Sequence, residues 1–243
     1  MNLTAFYHIL RKDMRNYYLK PPNISWGIIF PFAWTLMFFI KTGFQRDIRD
    51  ILPGVMAMSI LFGTTSMLAV TITFERKRRS FERLLLAPIS LTGLMLAKTS
   101  GAIAFGIINA CVPVLLASFF LDLTGIQIPL LLTGVALIAV TSTFLGLFIA
   151  VAVSEVFEAQ TFSNFFRFPM LFLCGLFFPI SQLPVFLRPL SYALPLTYGA
   201  DILRQAVNQN GSLPVLLSLS ALVGFSLLLF LISKRNIRRR WIL

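Results

Sequence analysis

The chain has 243 residues, of which 57% are hydrophobic and only 12% charged, with a mean hydropathy of +0.84. Soluble domains run near about 45–50% apolar and about 25% charged, so this composition excludes a water-soluble globular protein and indicates a membrane protein. The net charge of +12 does not indicate nucleic-acid binding, because the basic residues cluster beside apolar runs, as the positive-inside pattern requires.

The first element in chain order is an amphipathic helix over residues 1–20. Leu3, Phe6, Tyr7, Leu10, Met14, Tyr17 and Tyr18 recur at helical spacing, while Thr4, His8, Arg11, Lys12 and Arg15 occupy the other arc. Such a helix lies in the membrane interface, and Pro21-Pro22 stops it. The stretch is too long and polar for a cleavable leader.

Six runs without Asp, Glu, Lys or Arg follow: Pro21–Ile40, Ile51–Phe74, Thr99–Leu121, Leu123–Ser154, Phe168–Leu187 and Gln205–Ser233. About 20 apolar residues suffice to cross a hydrocarbon core as a helix. The runs do not alternate as barrel strands do. The expected fold is therefore an all-α integral membrane protein in one domain, with six transmembrane helices near 23–41, 51–73, 96–121, 125–153, 164–180 and 212–233. All Lys and Arg except Lys41, Arg46, Arg49, Arg188 and Arg204 then fall on one side, which places both termini in the cytoplasm. The short loop Lys41–Asp50 leaves no room for an external domain.

Between the second and third spans lies ERKRRSFERLLLAP, Glu75–Pro88. Phe81, Leu84, Leu85 and Pro88 share one helical face, and Glu75 and Arg79 stand at the favourable i, i+4 spacing. A short charged helix over about 75–87 follows, suited to a groove on a partner. Anchoring to the membrane surface is the alternative.

The fourth span carries Ser142, Gly146, Ala150 and Ser154 at four-residue spacing, which permits close helix packing inside the chain or, alternatively, at a dimer seam. After it, SEVFEAQTFSN (Ser154–Asn164) is expected to be a polar cytoplasmic loop. Its Glu155 and Glu158 lack the histidine, nucleophile or metal site that acid–base catalysis requires.

From Phe178 to Arg204 the chain breaks at Pro179, Pro184, Pro189 and Pro195 yet stays apolar. Backbone broken at membrane depth must be buried or line a cavity. The expectation is a re-entrant helical hairpin on the external side, near 181–204, between spans five and six. A loop resting on the surface is the alternative.

No span carries an ionisable residue in its body by this reading, which disfavours ion-coupled carriers and channels. No GxxxxGK[ST] occurs, so any ATP and its Mg would be bound by another polypeptide, and this chain needs no cofactor. Cys111, Cys174 and the lone His8 offer no metal spacing, and both cysteines are expected to be buried. Aromatic residues on the fifth span (Phe168, Phe172 and Phe177 among them) and hydroxyls on the second (Ser59, Thr64, Ser66) would suit an amphipathic or glycan substrate. Lipid-facing phenylalanines are the alternative.

Three segments carry a family resemblance: LPGVMAMSILFGTT (Leu52–Thr65) with ERLLLAPIS (Glu82–Ser90), the SEVFEAQTFSN loop, and GLFFPISQLPVFLRPLSYALPLTYGADILR (Gly175–Arg204). The chain resembles the permease subunits of ABC type-2 exporters, which export drugs, nodulation factors, O-antigen or teichoic acid. The resemblance implies two permease chains, more often identical, with two ATPase subunits in the plasma (inner) membrane. It makes 75–87 the coupling helix, with Glu75, Arg76, Arg79, Phe81, Glu82, Leu84 and Leu85 meeting the ATPase, and Glu155 and Glu158 a second contact. It implies that Tyr198, Asp201 and Arg204 belong to the hairpin with the four prolines, and that spans two and five line the path. ATP binding would then shift the permease from inward or lateral access to outward release. The competing readings are a membrane-embedded enzyme built on Glu155, Glu158 and Asp201, and a non-transporting scaffold subunit.

Overall fold

A computed structural model describes residues 3–20, 48–119, 124–177 and 179–242, together with positions 29, 32, 33, 36, 37 and 40. Among the described residues the secondary structure is helical throughout. Helix α1 (Leu3–Asp13) continues into a wide turn, Met14–Tyr18. Helices α2 (Ile48–Lys77), α3 (Ser80–Leu85), α4 (Leu91–Ala117), α5 (Ile128–Ala152) and α6 (Val156–Leu173) follow. Two 3-10 turns, Ile180–Gln182 and Val185–Leu187, lead into α7 (Arg188–Tyr192) and α8 (Pro195–Asn208). Helix α9 (Val215–Ile237) ends in a wide turn, Arg238–Ile242.

Among the described residues, four helices are long and apolar enough to cross a membrane: Arg49–Lys77, Leu91–Ala117, Ile128–Ala152 and Val215–Ile237. The expected first span, 23–41, and the loop Lys41–Asp50 lie mostly outside the described residues. Within that span Ile29, Phe32, Ala33, Leu36, Met37 and Ile40 are helical.

Helix α2 is the axis of the bundle, packed by α4, α5, α6 and α8. Small residues allow this. A Cβ on Gly146 of α5 would stand 2.4 Å from the Thr65 carbonyl oxygen of α2. The Thr65 hydroxyl donates to the Ser142 carbonyl at 3.1 Å. Ser142, Gly146 and Ala150 are buried, so this part of the small-residue stripe packs inside the chain, while Ser154 is exposed. Helix α9, by contrast, exposes Leu216, Leu217, Val223, Leu227, Leu228 and Leu231, a face suited to lipid.

Three sequence expectations shift. Where a fifth span was expected at 164–180, the structure has helix α6 at Val156–Leu173, which is not among the four helices long and apolar enough to cross a membrane. The polar run SEVFEAQTFSN is therefore its first two turns and not a loop. Glu155 and Glu158 form a capping box there: each carboxylate takes a backbone N–H and starts the helix. The segment 75–87 is not one helix either. Helix α2 runs through Glu75 to Lys77, Arg79 turns left-handed at φ 56°, and α3 begins at Ser80. Finally, the proline-rich segment consists of four pieces. Pro179 and Pro184 precede the two 3-10 turns, and Pro189 and Pro195 occupy the first turns of α7 and α8. Proline suits a helix start because its missing N–H has no intrahelical acceptor there.

Helix α8 runs along α5. Gly134 and Gly199 let Ile202 and Ile138 close the contact, and the Gln127 N–H donates to the Ala206 carbonyl at 2.9 Å. At the other end of α8, Pro195 and Leu196 share a small gap with Leu61, Ile138, Thr141 and Met170. Thr141 lies about 20 Å along α5 from its start.

Candidate functional site

The basic end of the bundle gathers the C-terminus of α1, the last turns of α2, the start of α4, α3 and the start of α6. At its centre four charges meet. Lys98 of α4 pairs with Glu75 of α2 and with Asp13 of α1, the latter at 2.9 Å. Lys12 pairs with Glu75 at 2.7 Å and with Asp13 at 3.3 Å. Lys98, Asp13 and Glu75 are each 1% exposed. Two cations balance two anions, which makes burial of the group tolerable, because a buried charge is stable only when paired and hydrogen-bonded. Burial still pushes the Asp13 carboxyl above its ordinary value, reinforced by Glu75 and opposed by Lys98 and Lys12. Tyr18 is fully buried beside this cluster, its ring 5.6 Å from that of Phe105, and burial raises its hydroxyl well above the usual range.

This network binds the amphipathic N-terminus to the bundle. Glu75, expected on the partner-facing surface, points inward instead, and pairs with Lys98 and Lys12 instead of Arg79. Phe81 is also internal, 3% exposed, and meets the Trp241 ring edge-on at 5.1 Å. Arg76 lies over the same indole at 4.1 Å and donates to the Val153 carbonyl at 3.0 Å. The chain's C-terminal turn thus braces α3 from behind, a role no local sequence pattern announced.

The outward edge of this end is different. Arg79, Glu82 and Arg83 are exposed, and Leu84 and Leu85 half-buried. Leu86 is 87% exposed and Phe157, in the first turn of α6, 88% exposed. Lys77 joins α2 to the α6 N-cap through Glu155 at 2.6 Å. Glu158 accepts from the Ser154 and Glu155 backbone N–H groups at 2.9 Å and 3.1 Å, and these bonds hold its carboxyl below the usual range. The two segments expected to face a partner therefore meet on one end. Leu86 and Phe157 are the protruding apolar residues there, and neither was singled out from the sequence.

The expected substrate-path residues lie in different surroundings. Ser59 and Thr64 are buried, the Thr64 hydroxyl donating to the Ile60 carbonyl at 2.9 Å. Phe168 and Phe172 point outward and Phe177 is buried. Ser66 differs: it accepts at 3.0 Å from Arg167 of α6. Arg167, expected near the membrane edge, is 3% exposed and lies well inside α6. The stretch expected as the fifth span therefore carries a buried ionisable side chain.

At the opposite end Asp201 accepts from the Ser212 and Leu213 N–H groups at 2.7 Å and 3.2 Å, tying α8 to the approach to α9. The Tyr198 hydroxyl donates to the Tyr192 carbonyl at 2.8 Å. Arg188 holds the 3-10 turns through the Ser181 and Leu183 carbonyls at 2.7 Å and 3.1 Å. Arg204 is largely buried, which lowers its pKa from the ordinary value. Asp201 and the Glu155/Glu158 pair sit at opposite ends and are engaged in structural bonds, so they do not form one catalytic centre. Among the described residues no cluster of three His, Cys, Asp or Glu could hold a metal. Cys174 is buried, and Cys111 is exposed, contrary to expectation.

A family model described as ABC-2 type transporter matches residues 4–208. Over 191 residues the chain is 28% identical to Nodulation protein J of Sinorhizobium fredii (strain NBRC 101917 / NGR234), covering 77% of this chain and 72% of that protein. It is 23% identical over 189 residues to the inner membrane transport permease YadH of Escherichia coli K12, covering 78% and 74%. It is 26% identical over 174 residues to the probable multidrug ABC transporter permease YbhS of the same strain, covering 71% and 46%.

Proposed function

Because the chain belongs to the ABC-2 type transporter family, and so is a multi-pass transmembrane subunit of an ABC transporter, we propose that it is the permease of an exporter driven by two separate ATPase subunits. The observation that carries this reading is the basic end. Lys77, Arg78, Arg79 and Arg83 are exposed at the same end as the protruding Leu86 and Phe157, and Lys77 reaches Glu155 beside the start of α6. Together they offer apolar knobs in a cationic rim, which fits an acidic-rimmed apolar groove on an ATPase. The buried Lys98–Glu75–Asp13 network behind them makes that end stiff. A push on α3 would pass into α2, the axis of the bundle.

Two permease chains, most simply identical, and two ATPases would form the working unit, with ATP and Mg held by the ATPases. Charge placement supports cytoplasmic termini, and the inner-membrane permease among the relatives supports that membrane. Six spans are reached by adding the 23–41 stretch and α6, whose 18 residues extend about 27 Å. The path of α8 along the outer half of α5, with Pro195 beside Thr141, supports an external re-entrant hairpin. The exposed Phe162, Phe165, Phe168 and Phe172 of α6 fit a path between two permeases for an amphipathic, drug-like, lipid-linked or glycan cargo. The test is vanadate-sensitive ATP hydrolysis by the co-expressed complex in nanodiscs, coupled to movement of a fluorescent amphipath. An assembled complex whose hydrolysis moves no cargo would favour a scaffold subunit.

A further inference from the structure

Among the described residues Arg167 has no carboxylate partner. One guanidinium nitrogen donates to the Ser66 hydroxyl at 3.0 Å and the other to the Asn164 side-chain carbonyl. The plane lies 4.3 Å over the Phe62 ring. The Nε–H has no hydrogen-bond partner among the described residues, and the side chain is 3% exposed. Arg167 is about 16 Å along α6 from Val156, and Ser66 about 16 Å along α2 from Lys77. That is roughly half the depth of a bilayer core.

The chain has nine acidic side chains, and each of the seven among the described residues is engaged elsewhere or sits at an end of the bundle. Asp13 and Glu75 serve Lys12 and Lys98. Glu155 serves Lys77, Glu158 caps α6, and Asp201 takes two backbone N–H groups. Glu82 lies on α3 at the basic end. Asp50 is near the start of α2, hydrogen-bonded to Asn208. Asp47 and Asp122 flank uncharged runs in the sequence and lie outside the described residues. A second copy brings the same set at the same ends, and the 23–41 stretch contains no acid. An unpaired buried arginine is costly, and one at membrane depth marks a functional site.

We propose that Arg167, with Ser66 and Asn164, forms the recognition site for the phosphate-like anionic head of an amphipathic cargo. This rests on the exporter reading above. The geometry suits it. Three of the five guanidinium N–H donors remain unassigned, and the Nε–H with a neighbouring Nη–H forms a fork that matches an oxyanion. Asn164 and Phe62 are only half-buried, so the edge of the site opens beside the exposed aromatic face of α6. The cargo's tail would lie along that face and its head against Arg167.

The test uses the permease–ATPase complex in phosphatidylcholine nanodiscs, with radiolabelled dodecyl phosphate as the probe. Arg167→Gln should weaken saturable binding by about 10- to 100-fold. Arg167→Lys, which keeps the charge and loses the fork, should fall between. Ser66→Asp supplies an internal counter-ion without removing the arginine and should also abolish binding. It decides the matter if Arg167→Gln fails to assemble. Neutral dodecyl maltoside should not compete. Unchanged binding in Arg167→Gln, or in Ser66→Asp, overturns the proposal. Equal competition by inorganic phosphate would overturn the amphipath assignment. Displacement by phosphatidic acid without any stimulation of ATP hydrolysis by dodecyl phosphate would mark a resident lipid and overturn the cargo assignment. ATPase association and basal hydrolysis, read on the same samples, report separately on the exporter reading.

Discussion

Lys98 and Glu75 meet in the protein interior from two different helices, each 1% exposed. Their contact ties the start of α4 to the end of α2, and Asp13 and Lys12 draw α1 into the same network. Removing one partner of a buried pair leaves a charge without compensation, which costs about 3–5 kcal/mol. Lys98→Met and Glu75→Gln should each lower the thermal midpoint of the purified protein. The exchanged pair Glu75→Lys with Lys98→Glu should recover part of the loss. Equal stability of Lys98→Met and the parent protein would contradict this account.

Close helix packing predicts a sharp contrast between two glycines. A Cβ on Gly146 would collide with the Thr65 backbone, whereas one on Gly224 meets nothing within 4 Å. Gly146→Ala should destabilise by about 1–3 kcal/mol through overpacking. Gly224→Ala should be neutral or mildly stabilising, since alanine favours helix. Thermal denaturation of both variants in the same detergent checks this.

Much of the fold was legible because uncharged runs announce membrane helices directly. The run 51–74 lies within α2, and the run 205–233 holds most of α9. What stayed hidden was pairing across the chain. Asp13 and Lys98 carry no local motif that marks them as partners. Nothing local joins residues 85 positions apart. The α6 boundary was missed for another reason. Its first turns are polar because Glu155 and Glu158 cap the helix, and capping residues resemble loop residues in composition. Arg167, therefore counted by sequence position with the basic side, is buried well within α6. The proline spacing did reveal a broken segment, because proline acts on its own backbone.

The capping box at α6 makes a pH prediction. The Ser154 and Glu155 N–H groups hold the Glu158 carboxyl below its ordinary value. A depressed acid stabilises the folded form above its unfolded pKa and loses that contribution as pH falls through the folded value. Amides of the first α6 turn should therefore exchange faster in Glu158→Gln than in the parent at pH 7. The difference should vanish in acid below the ordinary carboxylate range. Hydrogen exchange in nanodiscs reads it, and a difference that persists in acid would rule out the capping explanation.

Phe81 and Leu86 lie five residues apart with opposite roles. Phe81 packs on Trp241, so Phe81→Ala should cost about 3–5 kcal/mol and weaken ATPase binding only by loosening α3. Leu86 is 87% exposed, and Leu86→Glu should leave the isolated permease as stable as the parent. Trp241→Ala should resemble Phe81→Ala. Thermal midpoints of the permease purified alone separate the two classes.

The central claim is that the exposed edge of α3 and the first turn of α6 form the ATPase docking surface. It is tested most directly by co-purifying the permease with co-expressed ATPase subunits, comparing the parent with Leu86→Glu and Phe157→Glu combined. The account predicts a parent complex of two permeases and two ATPases with vanadate-sensitive hydrolysis. It predicts that the double variant is monodisperse and thermally unchanged yet recovers little ATPase. A double variant that retains its ATPase in full, with undiminished hydrolysis, would contradict the docking surface assigned here.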